Sequence, residues 1–251
     1  MENRKTRIPG GAVLEKARET RSNMINRKTF LLGGLILALA AAALGVLFAK
    51  SWYLSLAVLC GGTILMFFSV FENKAAAVEK TVLLAVLSAS AAAGRALFVL
   101  MPPSVQPASF IIILTGMAFG AEAGFITGAM TALVSSLFLG MGPWTMWQMF
   151  AWGLMGLTSG LMGALLRKNR ILRVAFAFVW GILFGWIMDI YALVSMGSGS
   201  GFGYVLAIYA QSFVFDLLHG ATNAILIFFG GERIMRTLDR VAVKYGLRRG
   251  R

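Results

Sequence analysis

The residues best suited to bind a solute are charged side chains embedded in segments apolar enough to cross a membrane. They are Arg95, Glu122, Asp189 and Asp216. A charge inside a membrane is costly, so it usually faces a cavity or a partner. Arg95 and Asp189 lie the same number of residues before the C-terminal ends of their apolar segments and carry opposite charges. They can pair with each other or line a ligand cavity, whereas Glu122 is predicted to have a structural role.

A second group of candidates lies in the stretch GMGPWTMWQMFAWG, residues 140–153. In this stretch Trp144 directly follows Gly142 and Pro143, which are residue types of shaped turns, and Trp147 and Gln148 come shortly after. This combination predicts a formed loop over a solute site, with the two tryptophans stacking on the solute or capping it. Trp152 is interpreted instead as an ordinary aromatic anchor at the membrane boundary.

The last apolar segment carries Asp216, His219 and Asn223 at spacings that place them on one helical face. Such residues can line a cavity or hydrogen-bond neighbouring helices together. Two further amides, Gln211 and Gln106, lie nearer the predicted outer side. The candidate substrate-binding residues are therefore Arg95, Gln106, Trp144, Trp147, Gln148, Asp189, Gln211, His219 and Asn223.

Composition identifies an integral membrane protein, because 59% of the 251 residues are hydrophobic and only 13% are charged. The chain has one cysteine, Cys60, and one histidine, so neither a disulfide framework nor a multi-histidine metal site can form within it. We expect no metal and no cofactor. The phosphate-binding pattern GxxxxGK[ST] is absent from the sequence, so the chain is not itself an ATPase.

The elements that position these residues are predicted transmembrane helices, each needing about 20 apolar residues. The block 109–139 is long for one helix, and Glu122 lies near its middle. Apolar segments occur at 30–49, 52–71, 81–101, 109–139, 148–166, 174–195 and 204–230.

The positions of Lys and Arg indicate whether the block 109–139 forms one helix or two, since these residues favour the cytoplasmic side. Nearly all Lys and Arg residues lie in four places: before residue 30, in the linkers 72–80 and 167–173, and after residue 230. Two helices with a cytoplasmic turn near Glu122 place all these groups on one side. The net charge of +13 is thus read as orientation and attraction to anionic lipid, not nucleic-acid binding.

The predicted fold is an all-α integral membrane protein with eight spans and both termini in the cytoplasm. The four predicted parts are a basic tail, an additional transmembrane hairpin, a six-helix membrane domain and a second basic tail, at 1–29, 30–71, 78–230 and 231–251.

Two stripes of small residues would let other helices approach closely. Ala85, Ala89 and Ala93 recur every fourth residue, and Gly181 and Gly185 do the same further along the chain. The spacing fits packing within the protein and docking onto a membrane partner equally well.

Residues from about 78 to 230 resemble the substrate-binding S component of an energy-coupling factor (ECF) transporter, the vitamin-uptake class of ABC transporter. The resemblance rests on ASAAAGRALFVLMPPSVQP, the loop GPWTMWQ and the late polar helix FDLLHGATNAILIFF. It implies a six-helix bundle in the cell membrane of a prokaryote, with a multi-pass topology. The hairpin at 30–71 is a departure from this family pattern.

The resemblance also implies a division of labour. An S component binds a vitamin from outside, while a transmembrane coupling subunit and two cytoplasmic ATPase subunits drive uptake. The family's alanine stripe maps onto Ala85, Ala89 and Ala93 as the interface with the coupling subunit. The loops 104–106 and 140–144 map onto those that close over the substrate.

The GPWTMWQ loop resembles S components for cobalamin-type corrinoids, which makes a corrinoid the leading expectation. Riboflavin or another flat vitamin would suit tryptophans and amides equally well. Two other classes stay open. One is a structural or assembly membrane protein, and the other is an intramembrane enzyme with Asp216 and His219 as acid and base.

Overall fold

The computed structural model describes residues 78–101, 104–195 and 201–245, together with the isolated residue Gly62. All regular secondary structure in these ranges is helical. The seven helices are α1 Val78–Leu97, α2 Ala108–Phe119, α3 Ala121–Leu139, α4 Trp144–Leu161, α5 Gly163–Lys168, α6 Arg170–Ser195 and α7 Phe202–Lys244.

The apolar block 109–139 divides into two helices, as predicted. The break is Gly120, whose φ of 95° lies in the left-handed region that glycine adopts without steric cost. Glu122 lies in the first turn of α3, where a negative charge complements the helix dipole. The chain therefore turns sharply next to the predicted position.

Four of the described helices are long and apolar enough to cross a membrane, namely α1, α3, α6 and α7. Helix α2 is apolar but has only 12 residues. Helix α4 has 18 residues and contains glutamine, serine and threonine, which lower its hydropathy. The predicted hairpin at 30–71 lies outside the described helices, and the eight-span count and the orientation of the termini stay predictions.

Helix α7 is longer than the sequence suggested. It has 43 residues and continues past residue 230 into the basic segment. At about 1.5 Å per residue it is about 64 Å long, roughly twice the hydrocarbon thickness of a bilayer. The segment 231–244, which was predicted as part of a basic tail, is therefore a helical extension of α7.

Arg167 ties this extension to the rest of the bundle. Its Nη1 contacts both carboxylate oxygens of Asp239 at 2.9 and 3.0 Å, and its Nε donates to the carbonyl of Met117 at 3.0 Å. The guanidinium thus joins α5 to the last turns of α2 and to α7. A second ion pair, Arg173 to Glu232 at 3.4 Å, joins α6 to α7 nearby.

Glycines bring α3 and α4 into direct backbone contact. A Cβ placed on Gly124 would overlap the carbonyl of Gly156, and one placed on Gly156 would overlap Gly124. Gly128 lies against the backbone of Trp152 in the same way. Small residues at membrane helix interfaces permit this close approach. Because burying apolar surface between helices gains little free energy in lipid, close packing stabilises the contact instead.

A similar seam joins α6 to α7. Gly181 lies against the backbone of Gly220, and Gly185 lies against the carboxylate of Asp216. This stripe therefore packs within the protein. The alanine stripe of α1 differs, because Ala85, Ala89 and Ala93 are exposed in the described part of the bundle.

We predict that Gly156→Ala lowers the free energy of unfolding by about 1–3 kcal/mol, the usual cost of overpacking. The physical reason is that its methyl group meets backbone that cannot move aside. Gly203→Ala is the matched control, because a Cβ there meets no atom within 4 Å. Equilibrium unfolding in detergent should separate the two, and equal stabilities would contradict the glycine seam.

Candidate functional site

Arg95 lies at the centre of the most connected polar cluster. Its Nη1 donates to Ser135 Oγ at 2.7 Å and to Gln148 Oε1 at 3.1 Å. Its guanidinium carbon lies 5.0 Å from the centroid of the Trp152 ring, within cation–π range. Helix α1 thereby contacts α3 and α4 through a half-buried cation whose partners are all neutral.

Trp152 connects this cation to the opposite side of the bundle. Its ring is stacked on Phe184 with centroids 4.8 Å apart, and its Nε1 donates to Ser109 Oγ at 3.0 Å. A 2.8 Å hydrogen bond joins the same Oγ to His219 Nε2. The His219 ring also meets Phe184 edge-on, with centroids 5.1 Å apart.

We name these residues the central cluster, which draws one or two side chains from each of α1, α2, α3, α4, α6 and α7. Its members are Arg95, Ser109, Ser135, Gln148, Trp152, Phe184 and His219. A cation, an amide, an imidazole and two stacked aromatic rings are groups that recognise a flat, partly polar molecule. None of its seven members is a carboxylate, and its donors, acceptors and rings are suited to binding.

A second polar group joins α6 to α7 separately. Ser212 Oγ lies 2.7 Å from Asp189 Oδ2 and 3.1 Å from Asp216 Oδ2. One hydroxyl has one hydrogen, so Ser212 donates to only one carboxylate at a time. Asp216 fits here because Gly185 has no side chain. Among the described residues Arg95 and Asp189 form no ion pair, since each binds other partners.

The remaining predicted residues fall into different environments. Asn223 is fully buried, and its Nδ2 donates to the carbonyl of Ala177 at 3.4 Å while its Oδ1 has no partner among the described atoms. Gln106 is buried in the loop before α2. Trp144 is 39% exposed and its ring covers Gly142.

Three positions differ from their sequence-based interpretation. Trp152 is not a boundary anchor, because its side chain is fully buried in the central cluster. Trp147 is also in the core, 6.2 Å from the Tyr191 ring, and not at the rim beside Trp144. Gln211 is exposed, since the face of α7 that packs on α6 carries Ser212 and Asp216.

A family model described as ECF-type riboflavin transporter, S component, matches residues 75–229. The chain belongs to this S-component family. Among curated proteins and among solved structures, no significant match is found. The family confirms the resemblance drawn from the sequence motifs and identifies a multi-pass membrane protein that is a non-enzymatic transporter subunit for vitamin uptake. The family description names riboflavin and gives no support to a corrinoid.

Ser109, Ser135 and Phe184 of this S component's central cluster were not among the predicted site residues, and Trp152 was interpreted as a boundary anchor. Trp152 follows Gln148 by four residues, so the two share a helical face, and that spacing could have identified it. Ser212 precedes Asp216 by four residues in the same manner. Phe184 gives no such signal, because one phenylalanine in an apolar helix looks like any other.

We predict that Trp152→Phe lowers the free energy of unfolding by about 2–4 kcal/mol. The substitution leaves a cavity and removes the donor to Ser109. Trp186→Phe is the matched control, since Trp186 is 47% exposed and its ring meets the Tyr209 ring edge-on. Unfolding in detergent, followed by circular dichroism, measures both. If Trp186→Phe were as unstable as Trp152→Phe, the result would contradict the placement of Trp152 in the buried central cluster.

Proposed function

We propose that this S component captures riboflavin from outside the cell. A transmembrane coupling subunit and two cytoplasmic ATPase subunits then drive uptake. The observation that carries the proposal is the family match over residues 75–229, whose description names this vitamin. Riboflavin thus replaces the corrinoid as the leading substrate, because a corrinoid has only the loop resemblance in its favour.

The chemistry of the central cluster supports a flavin. The isoalloxazine ring is flat and largely apolar, which suits binding beside an aromatic pair such as Trp152 and Phe184. Its carbonyl oxygens are acceptors for a guanidinium such as that of Arg95. The present partners of Arg95 are the neutral groups of Ser135 and Gln148, so it can exchange them for a ligand without breaking an ion pair.

Further polar groups extend this binding surface. Asn223 carries a buried amide oxygen without a partner in the described bundle, and such an oxygen costs free energy until it accepts a hydrogen bond. A ligand hydroxyl of the ribityl chain would satisfy it. His219 lies one turn away on the same helix, held by Ser109.

The loop before α4 is proposed to close over the bound vitamin. Gly140 has a φ of 102°, and Gly142 lies beneath the Trp144 ring. Glycine thus supplies the conformations that hold an exposed indole at this end of the bundle. Gln106 lies in the other described loop at the same end, between α1 and α2.

Docking onto the coupling subunit is proposed for the alanine stripe of α1. Ala85, Ala89 and Ala93 are exposed in the described part of the chain, whereas the glycines of α6 already pack against α7 within the protein. A stripe of methyl groups lets a partner helix approach closely in lipid.

We predict that the purified protein binds riboflavin and quenches its fluorescence, and that Arg95→Gln weakens this binding about 10- to 100-fold. Hydrogen bonds to a charged group contribute about 1.5–3 kcal/mol, which gives that factor. Arg240→Gln is the control, because this exposed arginine lies on the extension of α7. Titration of riboflavin into each variant, with unfolding curves alongside, measures the effect.

Arg95→Lys separates charge from geometry, since lysine keeps the positive charge but cannot form the same forked contacts. We expect it to bind riboflavin between the wild type and Arg95→Gln. Binding of cobalamin with no binding of riboflavin would contradict the proposed substrate. A folded protein that binds neither would favour the structural interpretation.

We predict that Ala89→Leu leaves riboflavin affinity unchanged but reduces uptake in cells at least about tenfold, because a larger side chain holds the partner helix away. Ala210→Leu is the matched control on an exposed face of α7. Uptake of labelled riboflavin and co-purification of the coupling subunit measure the effect. Equal uptake by the two variants would exclude this stripe as the interface.

A further inference from the structure

A groove separate from the central cluster runs between α6 and α7, next to the first turn of α6. Its volume is about 380 Å³, within the range of small-molecule pockets. Its wall is apolar, formed by Ile171, Val174, Ala175, Phe178, Ala224 and Phe228. Such a wall accepts a hydrocarbon chain and offers no partner to a polar ligand.

One end of this groove is cationic. The guanidinium carbon of Arg170 lies 4.0 Å from the centroid of the Phe228 ring, and its Nη2 donates to the Phe228 carbonyl at 2.9 Å. These two contacts hold an exposed guanidinium at the rim. Lys168 is also exposed in the same basic turn. The groove therefore has the charge pattern of a site for an anionic amphiphile.

The surroundings of the groove are suited to lipid. Ile171 is 81% exposed and Phe229 is 78% exposed, so apolar side chains face outward beside it. A transmembrane helix is about 10 Å wide with its side chains and would cover the groove without entering it. A single acyl chain is thin enough to lie between α6 and α7.

We propose that the groove binds one phospholipid with an anionic headgroup. One acyl chain lies along the apolar wall, and the headgroup phosphate contacts Arg170. Every membrane phospholipid offers a similar chain and a phosphate, so the selectivity comes from the net negative charge of the headgroup. A basic residue near the surface contributes about 1 kcal/mol towards anionic lipid, which corresponds to about a five-fold preference.

Native mass spectrometry of the delipidated full-length protein tests this proposal. Phosphatidylglycerol and phosphatidylcholine with identical chains are titrated in competition. We expect the wild type to bind its first phosphatidylglycerol about five-fold more tightly than its first phosphatidylcholine. Arg170→Gln should abolish this preference, whereas Arg170→Lys should retain it and shows that loss of folding is not the cause.

Ala175→Phe tests the groove itself, since the larger side chain fills space that the acyl chain needs. It should weaken the first binding event of both lipids. Arg240→Gln, an exposed arginine away from the groove, should retain the wild-type preference. The proposal is overturned if the wild type shows no preference or if Arg170→Gln and Arg240→Gln behave alike. Unchanged lipid binding by Ala175→Phe would likewise overturn it and indicate that something other than lipid covers the groove.

Discussion

The close approach of helix backbones at glycine positions is the constraint on which the described bundle depends. Lipid is as apolar as leucine, so membrane helices gain little by burying apolar surface against one another and rely on packing. Gly124 and Gly156 join α3 to α4, while Gly181 and Gly220 join α6 to α7. Each pair places two backbones in contact that one methyl group would separate.

The polar chemistry follows from this packing. Arg95 reaches Ser135 and Gln148 together because α3 and α4 lie against each other at their glycines. Trp152 presents its backbone to Gly128 and its indole to Ser109, so one residue belongs to both the seam and the central cluster. Displacing α4 would therefore disturb the helix contact and the candidate site at once.

The two ends of the described bundle differ in a way that suits a binding subunit. At the end with the α3–α4 loop, Arg95 and Gln148 are half-buried and Trp144 is exposed, so side chains there can exchange neutral partners for a ligand. At the opposite end, Arg167 holds α2, α5 and α7 together through a carbonyl group and a carboxylate. Side chains that can change partners at one end, and helices held together by Arg167 at the other, are consistent with capture of a vitamin by an S component.

The sequence alone was sufficient to predict the membrane class, the helical segments from residue 78 onward, the break beside Glu122 and the family. These depend on apolar length, glycine and motif order, which are local properties of the chain. It also placed Asp216, His219 and Asn223 on one face, since helical spacing alone decides that. The sequence analysis did not predict the extension of α7 past residue 230, because a basic amphipathic segment has the composition of a tail. Its inward face becomes apparent only where it contacts α5 and α6.

Which polar residues contact one another depends on the three-dimensional packing of the helices. Arg95 and Asp189 lie equally far from the C-terminal ends of their predicted apolar segments, yet they bind different partners because rotation about each helix axis sets the direction of a side chain. In α3, α4, α6 and α7 the glycine seams fix this rotation, and local spacing does not reveal them. Helix rotation also turns Gln211 outward, buries Trp152 in the central cluster, and leaves the alanines of α1 exposed while the glycines of α6 are covered.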